Sequence, residues 1–150
     1  MSEDNDNNIT YIQANDLRVG GHILDNKRAC VILSMSRSKT GKHGSAKISL
    51  EIRDIFNNKR GIAMYSSSEK VAVPIIQKST YRVISVSDDE FVSMMSDKGD
   101  IVESIKLPIN ELGENIKKLL EKNSDEKGID VVVLTAMNES QIVSVSESKD

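Results

Sequence analysis

Apolar and polar residues alternate over short stretches in the first half of the chain, which is the period of a half-buried β-strand. The clearest case is residues 48–53, ISLEIR, in which every second side chain is apolar. An apolar run at residues 29–33 precedes it, and a polar segment with glycines at positions 41 and 44 separates the two. Because glycine adopts positive φ without a steric clash, this segment suits the tip of a hairpin. The pattern predicts two long strands with a polar loop at their far end.

Turn-forming residues divide the rest of the first half into further short strands. The turns at residues 19–21, 25–27 and 57–58 flank predicted strands at 22–24, 61–65 and 70–73. With a strand from residue 11 and the two hairpin strands, six strands and no helical period predict a small all-β barrel over residues 10–75. Residues 1–9 offer almost no apolar side chain, and we expect them to form a disordered acidic tail.

The second half, residues 76–150, combines strands with one helix. Apolar stretches at 81–86, 91–95 and 101–107 predict three strands, and those at 131–134 and 141–145 predict two more. Between the two groups, apolar residues recur at helical spacing on one face, namely Ile109, Leu112, Ile116, Leu119 and Leu120. Pro108 suits the start of this helix, and Asn110 is a candidate cap. Three strands, a helix and two strands is the order of an oligonucleotide-binding (OB) fold barrel.

Charge is divided unevenly between the halves, although the net charge of the whole chain is only −3. Residues 1–75 contain 11 lysines and arginines against 8 acids, whereas residues 76–150 contain 9 against 15. The first half is therefore net positive, which favours its contact with nucleic acid. The single cysteine, Cys30, excludes an intramolecular disulfide, and its apolar neighbours predict a packed core thiol.

Few residues are candidates for catalysis or metal binding. The only histidines are His22 and His43, and neither a Ser-His-acid or Cys-His set nor a metal-binding spacing is evident. The acidic run at residues 88–90 is expected to be a solvated turn. Tyr81 and Phe91 are the only aromatic residues of the acidic second half, so we expect both in the core rather than on a surface that stacks bases. We therefore expect a protein that is not an enzyme and that holds neither a cofactor nor a metal.

The candidate functional segment is the loop at residues 36–47, SRSKTGKHGSAK. It contains no acid and four cations, which are Arg37, Lys39, Lys42 and Lys47. A phosphate-binding loop of the GxxxxGK[ST] type is excluded, because His43 follows Lys42 and no glycine stands five residues before Gly41. A charged hairpin tip is commonly only solvated, but that interpretation leaves the lack of acids unexplained. Contact with phosphates accounts for it directly.

Residues 40–44, TGKHG, resemble the modification loop of the eukaryotic translation initiation factor 5A family and its archaeal relatives. Weaker similarities extend over nearly the whole chain from about residue 11, at Asp54-Ile55-Phe56, Val73-Pro74, Leu107-Pro108, Leu112-Gly113 and Ala136-Met137. The resemblance implies a mostly β fold, with an N-terminal SH3-like barrel followed by a C-terminal OB-fold barrel with one helix. It also implies that Lys42 is converted to hypusine or deoxyhypusine, with spermidine as the donor of the aminobutyl group.

The function that the resemblance implies is that of a non-enzymatic translation factor. Such a factor binds the ribosome, through its rRNA, beside peptidyl-tRNA, and it promotes peptide-bond formation at stalling sequences such as proline runs, as well as termination. Its partners would include deoxyhypusine synthase and deoxyhypusine hydroxylase. The residues assigned to the modification loop and to RNA contacts are Arg37, Lys39, Thr40, Gly41, His43, Gly44, Ser45 and Lys47.

A second interpretation stays open, because a sequence does not show the chemical state of Lys42. The chain could be an unmodified general RNA-binding or stress-associated module of the same fold. In both interpretations we expect a cytoplasmic protein without a membrane partner, and we leave nuclear presence open. No apolar stretch approaches the ~18 residues that span a bilayer, and the acidic start is unlike a signal peptide.

Ser45 stands where eukaryotic members of the family usually have histidine, just as Arg37 replaces their usual threonine. Residues 39–44 around the acceptor are kept, so we expect aminobutyl transfer to Lys42 to proceed. Serine replaces an imidazole, which can stack or carry charge, by a small hydroxyl, so the later hydroxylation is the step affected. We predict that Ser45→His raises hydroxylation of Lys42 by purified hydroxylase and leaves transfer by the synthase unchanged, as read by peptide fragmentation. Complete hydroxylation of the wild type would show that Ser45 is no obstacle.

Overall fold

The structure is a computed structural model that describes residues 8–39, 46–122 and 128–148. The chain divides into two compact units, Met1–Ile75 and Ile76–Asp150. Both are built from antiparallel strands, and the described residues include one α-helix. The predicted mostly β fold is therefore confirmed. No helix in the described part of the chain has the length and apolar character needed to cross a membrane.

The first unit consists of two antiparallel sheets. Strands β2, β3, β4 and β5 follow one another in a four-stranded sheet, and β1 pairs with β6 in a two-stranded sheet. The strand bounds are β1 Ile9–Gln13, β2 His22–Asp25, β3 Arg28–Lys39, β4 Ala46–Asp54, β5 Arg60–Ser66 and β6 Lys70–Pro74. A single turn of 3-10 helix, Ala14–Asp16, follows β1. The six predicted strands are thus confirmed, with small changes at their ends.

Apolar side chains from both sheets form the core of the first unit. The alternation read in β4 is confirmed, because Ile48, Leu50 and Ile52 are all at most 2% exposed. Cys30 is buried among them, as predicted. Burial, followed by the negative charge of Asp54, raises the pKa of its thiol to about 11. This cysteine is consequently a protonated core residue at neutral pH.

The predicted tail, residues 1–9, is wrong at its end. Ile9 is the first residue of β1 and pairs with Pro74 of β6. The carbonyl of Asn8 also accepts a hydrogen bond from the amide of Ile75, at 2.8 Å. Strand pairing satisfies backbone groups whatever the neighbouring side chains are, so the polar residues before Ile9 do not prevent it from joining the sheet. Residues 1–7 of the predicted tail lie outside the described residues.

The second unit is a five-stranded antiparallel sheet with one helix. Its strands lie in the order β11-β10-β7-β8-β9. The bounds are β7 Gln77–Val86, β8 Phe91–Met95, β9 Ile101–Lys106, α1 Glu111–Lys122, β10 Ile129–Ala136 and β11 Glu139–Glu147. Three strands, a helix and two strands occur in the predicted order. The OB-fold interpretation of this half is confirmed.

Helix α1 covers one end of this core with the predicted apolar face, apart from one residue. Ile116 is fully buried, and Leu112, Leu119 and Leu120 pack against the same cluster. The side chain of Asn110 accepts a hydrogen bond from the amide of Leu112 at 3.0 Å, which confirms it as the cap. Ile109 was wrongly included, since it precedes the helix and is fully exposed.

The two aromatic residues of the second unit differ in their surroundings. Tyr81 is half-buried and packs against the core, as predicted. Phe91 is also half-buried, but the ammonium group of Lys106 lies 5.5 Å from the centre of its ring. A cation at that distance is attracted by the face of the ring. Phe91 is not part of the core cluster, so its predicted place in the core is wrong, and its ring instead contacts Lys106.

Candidate functional site

The candidate site is the hairpin formed by β3 and β4. Its pairing runs from Cys30 opposite Asp54 to Lys39 opposite Ala46, with one irregularity after Ile32. The six residues between its two strands, among them Lys42, lie outside the described residues. This applies to all the site residues predicted in the loop itself, which are Thr40, Gly41, Lys42, His43, Gly44 and Ser45.

Exposure rises along β3 towards the loop. The first half of the strand contributes the buried residues Ala29, Cys30 and Ile32 to the core. Its last four residues are all exposed. The hairpin is thus anchored in the core of the first unit at one end, and the last four residues of β3 are exposed at the other.

An ion pair joins the two strands at the root of the hairpin, which is the end of the β3–β4 pairing farthest from the loop. Arg28 at the start of β3 donates two hydrogen bonds to Asp54 at the end of β4, Nε to Oδ2 at 2.6 Å and Nη2 to Oδ1 at 3.1 Å. Asp54 Oδ1 also accepts the amides of Phe56 and Asn57, at 2.8 and 3.1 Å. One carboxylate therefore joins the two strands and the turn that follows them. This is the structural role of the Asp54-Ile55-Phe56 sequence.

The environment of Asp54 favours its ionised form. Burial of its side chain, which is only 6% exposed, would by itself raise the pKa of Asp54. The hydrogen bonds from Arg28 and from the two amides outweigh burial, and the pKa of Asp54 lies below its ordinary value. The pair is consequently charged at neutral pH, and Arg28 is neutralised by it.

The three described cations of the loop region have different surroundings. Arg37 is exposed, but its guanidinium donates to the side-chain oxygen of Asn15 and, at 2.9 Å, to the carbonyl of the same residue. Lys39 and Lys47 are exposed. Lys39 pairs with Ala46 whereas Lys47 pairs with Ser38, so the two lysines lie on opposite faces of the hairpin. Positive charge is therefore available on both faces just below the loop.

Sequence reasoning missed two contributors to this arrangement. Asn15 comes from the 3-10 helix, and nothing in its local sequence marks it as a partner of Arg37, 22 residues later. Arg28 and Asp54 are 26 residues apart, and only the strand register brings them together. The first contact depends on where the 3-10 helix packs and the second on the pairing of β3 with β4, and neither can be read from neighbouring residues.

Other groups offer less for ligand binding. Burial lowers the pKa of His22, so this histidine is neutral at physiological pH. Within residues 8–39, 46–122 and 128–148, no three His, Cys, Asp or Glu side chains are grouped to hold a metal ion. A depression in the second unit is lined by Tyr81, Arg82 and Lys98 among others, but Arg82 is paired with Asp130 at 3.0 Å. Its charge is therefore mixed, whereas residues 36–39 and 46–47 at the outer end of the hairpin include cations and no acid.

Two models of protein families match the chain. One is described as "Translation initiation factor 5A-like, N-terminal" and matches residues 8–69. The other is described as "Eukaryotic elongation factor 5A hypusine, DNA-binding OB fold" and matches residues 75–146. Among relatives, "Eukaryotic translation initiation factor 5A-3" of Arabidopsis thaliana is 39% identical over 137 residues, covering 90% of this chain and 84% of the relative. "Eukaryotic translation initiation factor 5A-1" of Saccharomyces cerevisiae is 34% identical over 140 residues, covering 93% and 87%.

Solved structures agree with these matches. A "translation initiation factor eif-5a family protein" from Naegleria fowleri superposes with a TM-score of 0.84 at 31% identity, covering 93% of this chain and 99% of that one. The "eukaryotic translation initiation factor 5A" from Methanococcus jannaschii gives a TM-score of 0.71 at 25% identity, covering 93% and 96%. The matches over both halves of the chain identify the class of the protein as a translation factor. The chain belongs to the eukaryotic translation initiation factor 5A family.

The root of the hairpin yields a prediction about stability and pH. Replacing Asp54 by Asn removes the carboxylate that pairs with Arg28 and weakens the turn, so we expect the first unit to lose about 2 kcal/mol at pH 7. Because the folded pKa is depressed, the stabilisation is present above the ordinary aspartate value of about 3.9 and is lost as pH falls through the folded value. Urea unfolding, followed by amide signals of β3 and β4 from pH 7 to pH 2, should show wild type and variant converging at low pH.

The exposed residue Asp16 supplies the matched control. Asp16→Asn removes an equal charge from the same unit and should change stability by less than about 0.5 kcal/mol. If Asp54→Asn were as stable as this control at pH 7, the ion pair would not hold the root of the hairpin.

Proposed function

We propose that this chain is a ribosome-binding translation factor that acts through its β3–β4 hairpin. In this proposal the hairpin enters beside peptidyl-tRNA, and the modified side chain of Lys42 supports peptide-bond formation at stalling sequences and termination. Membership of the family supports the proposal. The observation on which the proposal rests is the hairpin itself. Its first part is anchored in the core of the first unit, and its exposed outer end is cationic and contains no acid.

The exposed lysines beside the loop are suited to RNA. Lys39 and Lys47 lie on opposite faces of the hairpin, so they can meet phosphates on both sides of a narrow cleft. Arg28 is neutralised by Asp54 at the root and so contributes little to this charge. Binding is then strongest at the outer end and depends on salt, because each phosphate contact releases counterions.

In this proposal the modified side chain of Lys42 acts by its length and charge and not as a general acid or base. Deoxyhypusine synthase would transfer an aminobutyl group from spermidine to Lys42, and deoxyhypusine hydroxylase would then act on the product. The modified side chain is longer than that of lysine and remains cationic. It orients the reacting ends of the ribosomal substrates, and such positioning can account for a large part of a reaction barrier. The factor itself forms and breaks no bond.

The first test separates the charge of Lys42 from its modification. Lys42→Arg keeps a cation at the tip but removes the amine that accepts the aminobutyl group. We expect this variant to fold normally and to lose support of growth in cells depleted of the native factor. Lys39→Arg is the matched control, because it makes the same exchange three residues away and should support growth. Normal growth with Lys42→Arg would contradict the proposed function.

The second test concerns the salt dependence of ribosome binding. Replacing both Lys39 and Lys47 by Gln should remove two phosphate contacts and reduce the log–log slope of affinity against salt by about 1.4, at roughly 0.7 per contact. The control replaces Lys78 and Lys118, two exposed lysines of the second unit, and should leave the slope unchanged. An unchanged slope in the hairpin variant would mean that its lysines face solvent in the complex.

A further inference from the structure

Arg37 stands two residues before the end of β3, yet its guanidinium is directed back to the body of the first unit. It makes two hydrogen bonds to Asn15, one to the side-chain oxygen and one to the backbone carbonyl at 2.9 Å. Asn15 is the middle residue of the 3-10 helix. Both acceptors are neutral, so this contact uses the forked geometry of the guanidinium and not an opposite charge.

The same 3-10 helix is connected to the other strand of the hairpin. The amide of Asn15 donates to the carbonyl of Ser67 at 3.0 Å, and the amide of Ser67 donates to the carbonyl of Ala46 at 2.8 Å. Ala46 is the first residue of β4 and the partner of Lys39. A continuous series of hydrogen bonds therefore runs from Arg37 on β3, through Asn15 and Ser67, to the start of β4.

This series is fixed at its centre to the core. Ala14, next to Asn15, is fully buried, and its amide donates to the carbonyl of Glu69 at 2.8 Å. Glu69 belongs to the turn between β5 and β6, and its amide donates a hydrogen bond to the carbonyl of Ser66 at 3.0 Å, which closes this turn. The outer end of the hairpin is thus hydrogen-bonded on both strands, at Arg37 to the 3-10 helix and at Ala46 to the turn between β5 and β6.

We propose that Arg37 is a positioning residue, which holds the outer end of the β3–β4 hairpin in a fixed orientation through Asn15 and Ser67. The inference deepens the proposed function and rests on it for its consequence at the ribosome. A hairpin end held in its bound orientation loses less conformational freedom on docking, so binding is tighter without any new contact to the partner. This role replaces the phosphate contact expected for Arg37 from its charge.

Two substitutions separate positioning from phosphate contact. Asn15→Ala removes the side-chain acceptor and leaves every cation in place, so it affects binding only if the hydrogen bonds position the hairpin. Arg37→Lys keeps the charge but replaces the guanidinium by a single ammonium group. An ammonium group can still contact a phosphate, but it cannot reproduce the two hydrogen bonds to Asn15. Lys39→Met is the matched control, because it removes a cation from the same strand outside the series.

The first measurement uses the free protein, so it does not depend on the ribosome. We expect Arg37→Met and Asn15→Ala each to speed hydrogen exchange at the Asn15 and Ser67 amides by about fivefold, the effect of one modest hydrogen bond. The double variant should exchange no faster than Arg37→Met alone, because that substitution already removes both hydrogen bonds to Asn15. Lys39→Met should leave these amides unchanged. Additive effects, or exchange at wild-type rates, would overturn the proposal.

The second measurement is ribosome affinity against salt. Arg37→Met, Arg37→Lys and Asn15→Ala should each weaken binding by a similar factor of about five while leaving the log–log slope unchanged. A slope reduced by roughly 0.7 in Arg37→Met, with full affinity in Arg37→Lys and Asn15→Ala, would make Arg37 a phosphate contact and overturn the inference. Faster amide exchange with unaltered affinity would also overturn positioning. Should the wild type fail to bind ribosomes, the proposed function fails, and amide exchange alone decides the role of Arg37.

Discussion

Every second side chain of β4 is buried in the core of the first unit, and this constraint determines where the rest of the hairpin lies. Ile48, Leu50 and Ile52 cannot leave the core without exposing three large apolar groups. A slip of one residue would turn all of them outwards, so the register with β3 is fixed. The last pair, Lys39 with Ala46, then falls beyond the core. The cationic residues reach solvent because the apolar ones below them are held.

Polar contacts at the two ends of the hairpin add to the position that burial of β4 determines. Asp54 and Arg28 join the strands at the root, because a buried carboxylate is costly in free energy unless it is paired. At the outer end, the contact of Arg37 with Asn15 is exposed and individually weak, but it restrains β3 close to the end that is farthest from the core. The two ends therefore serve different needs, stability at the root and orientation at the tip. Lys39 and Lys47, close to the loop, are exposed and supply the positive charge on which the proposed contact with RNA depends.

Much of this fold could be predicted from local pattern, and the errors have a common origin. The strands of the hairpin and the helix with its Asn110 cap follow from periodicity and turn chemistry, which are properties of neighbouring residues. Ile9 was missed because its partner, Pro74, lies 65 residues away, and the Arg37–Asn15 contact is equally non-local. Ile109 has helical spacing but precedes the cap, so spacing alone misplaced it. Neither periodicity nor charge singles out Lys42 among the loop cations; that assignment rests on the resemblance of the loop to its family.

The chemical state of Lys42 is therefore the most direct test of the account. The measurement is the intact mass of the protein isolated from its own cells, followed by fragmentation across residues 36–47. We expect an added aminobutyl group on Lys42, with or without one further oxygen atom, and no modification of Lys39 or Lys47. An unmodified Lys42 in protein from growing cells would contradict the proposed function and favour an RNA-binding module that has kept the fold without the modification.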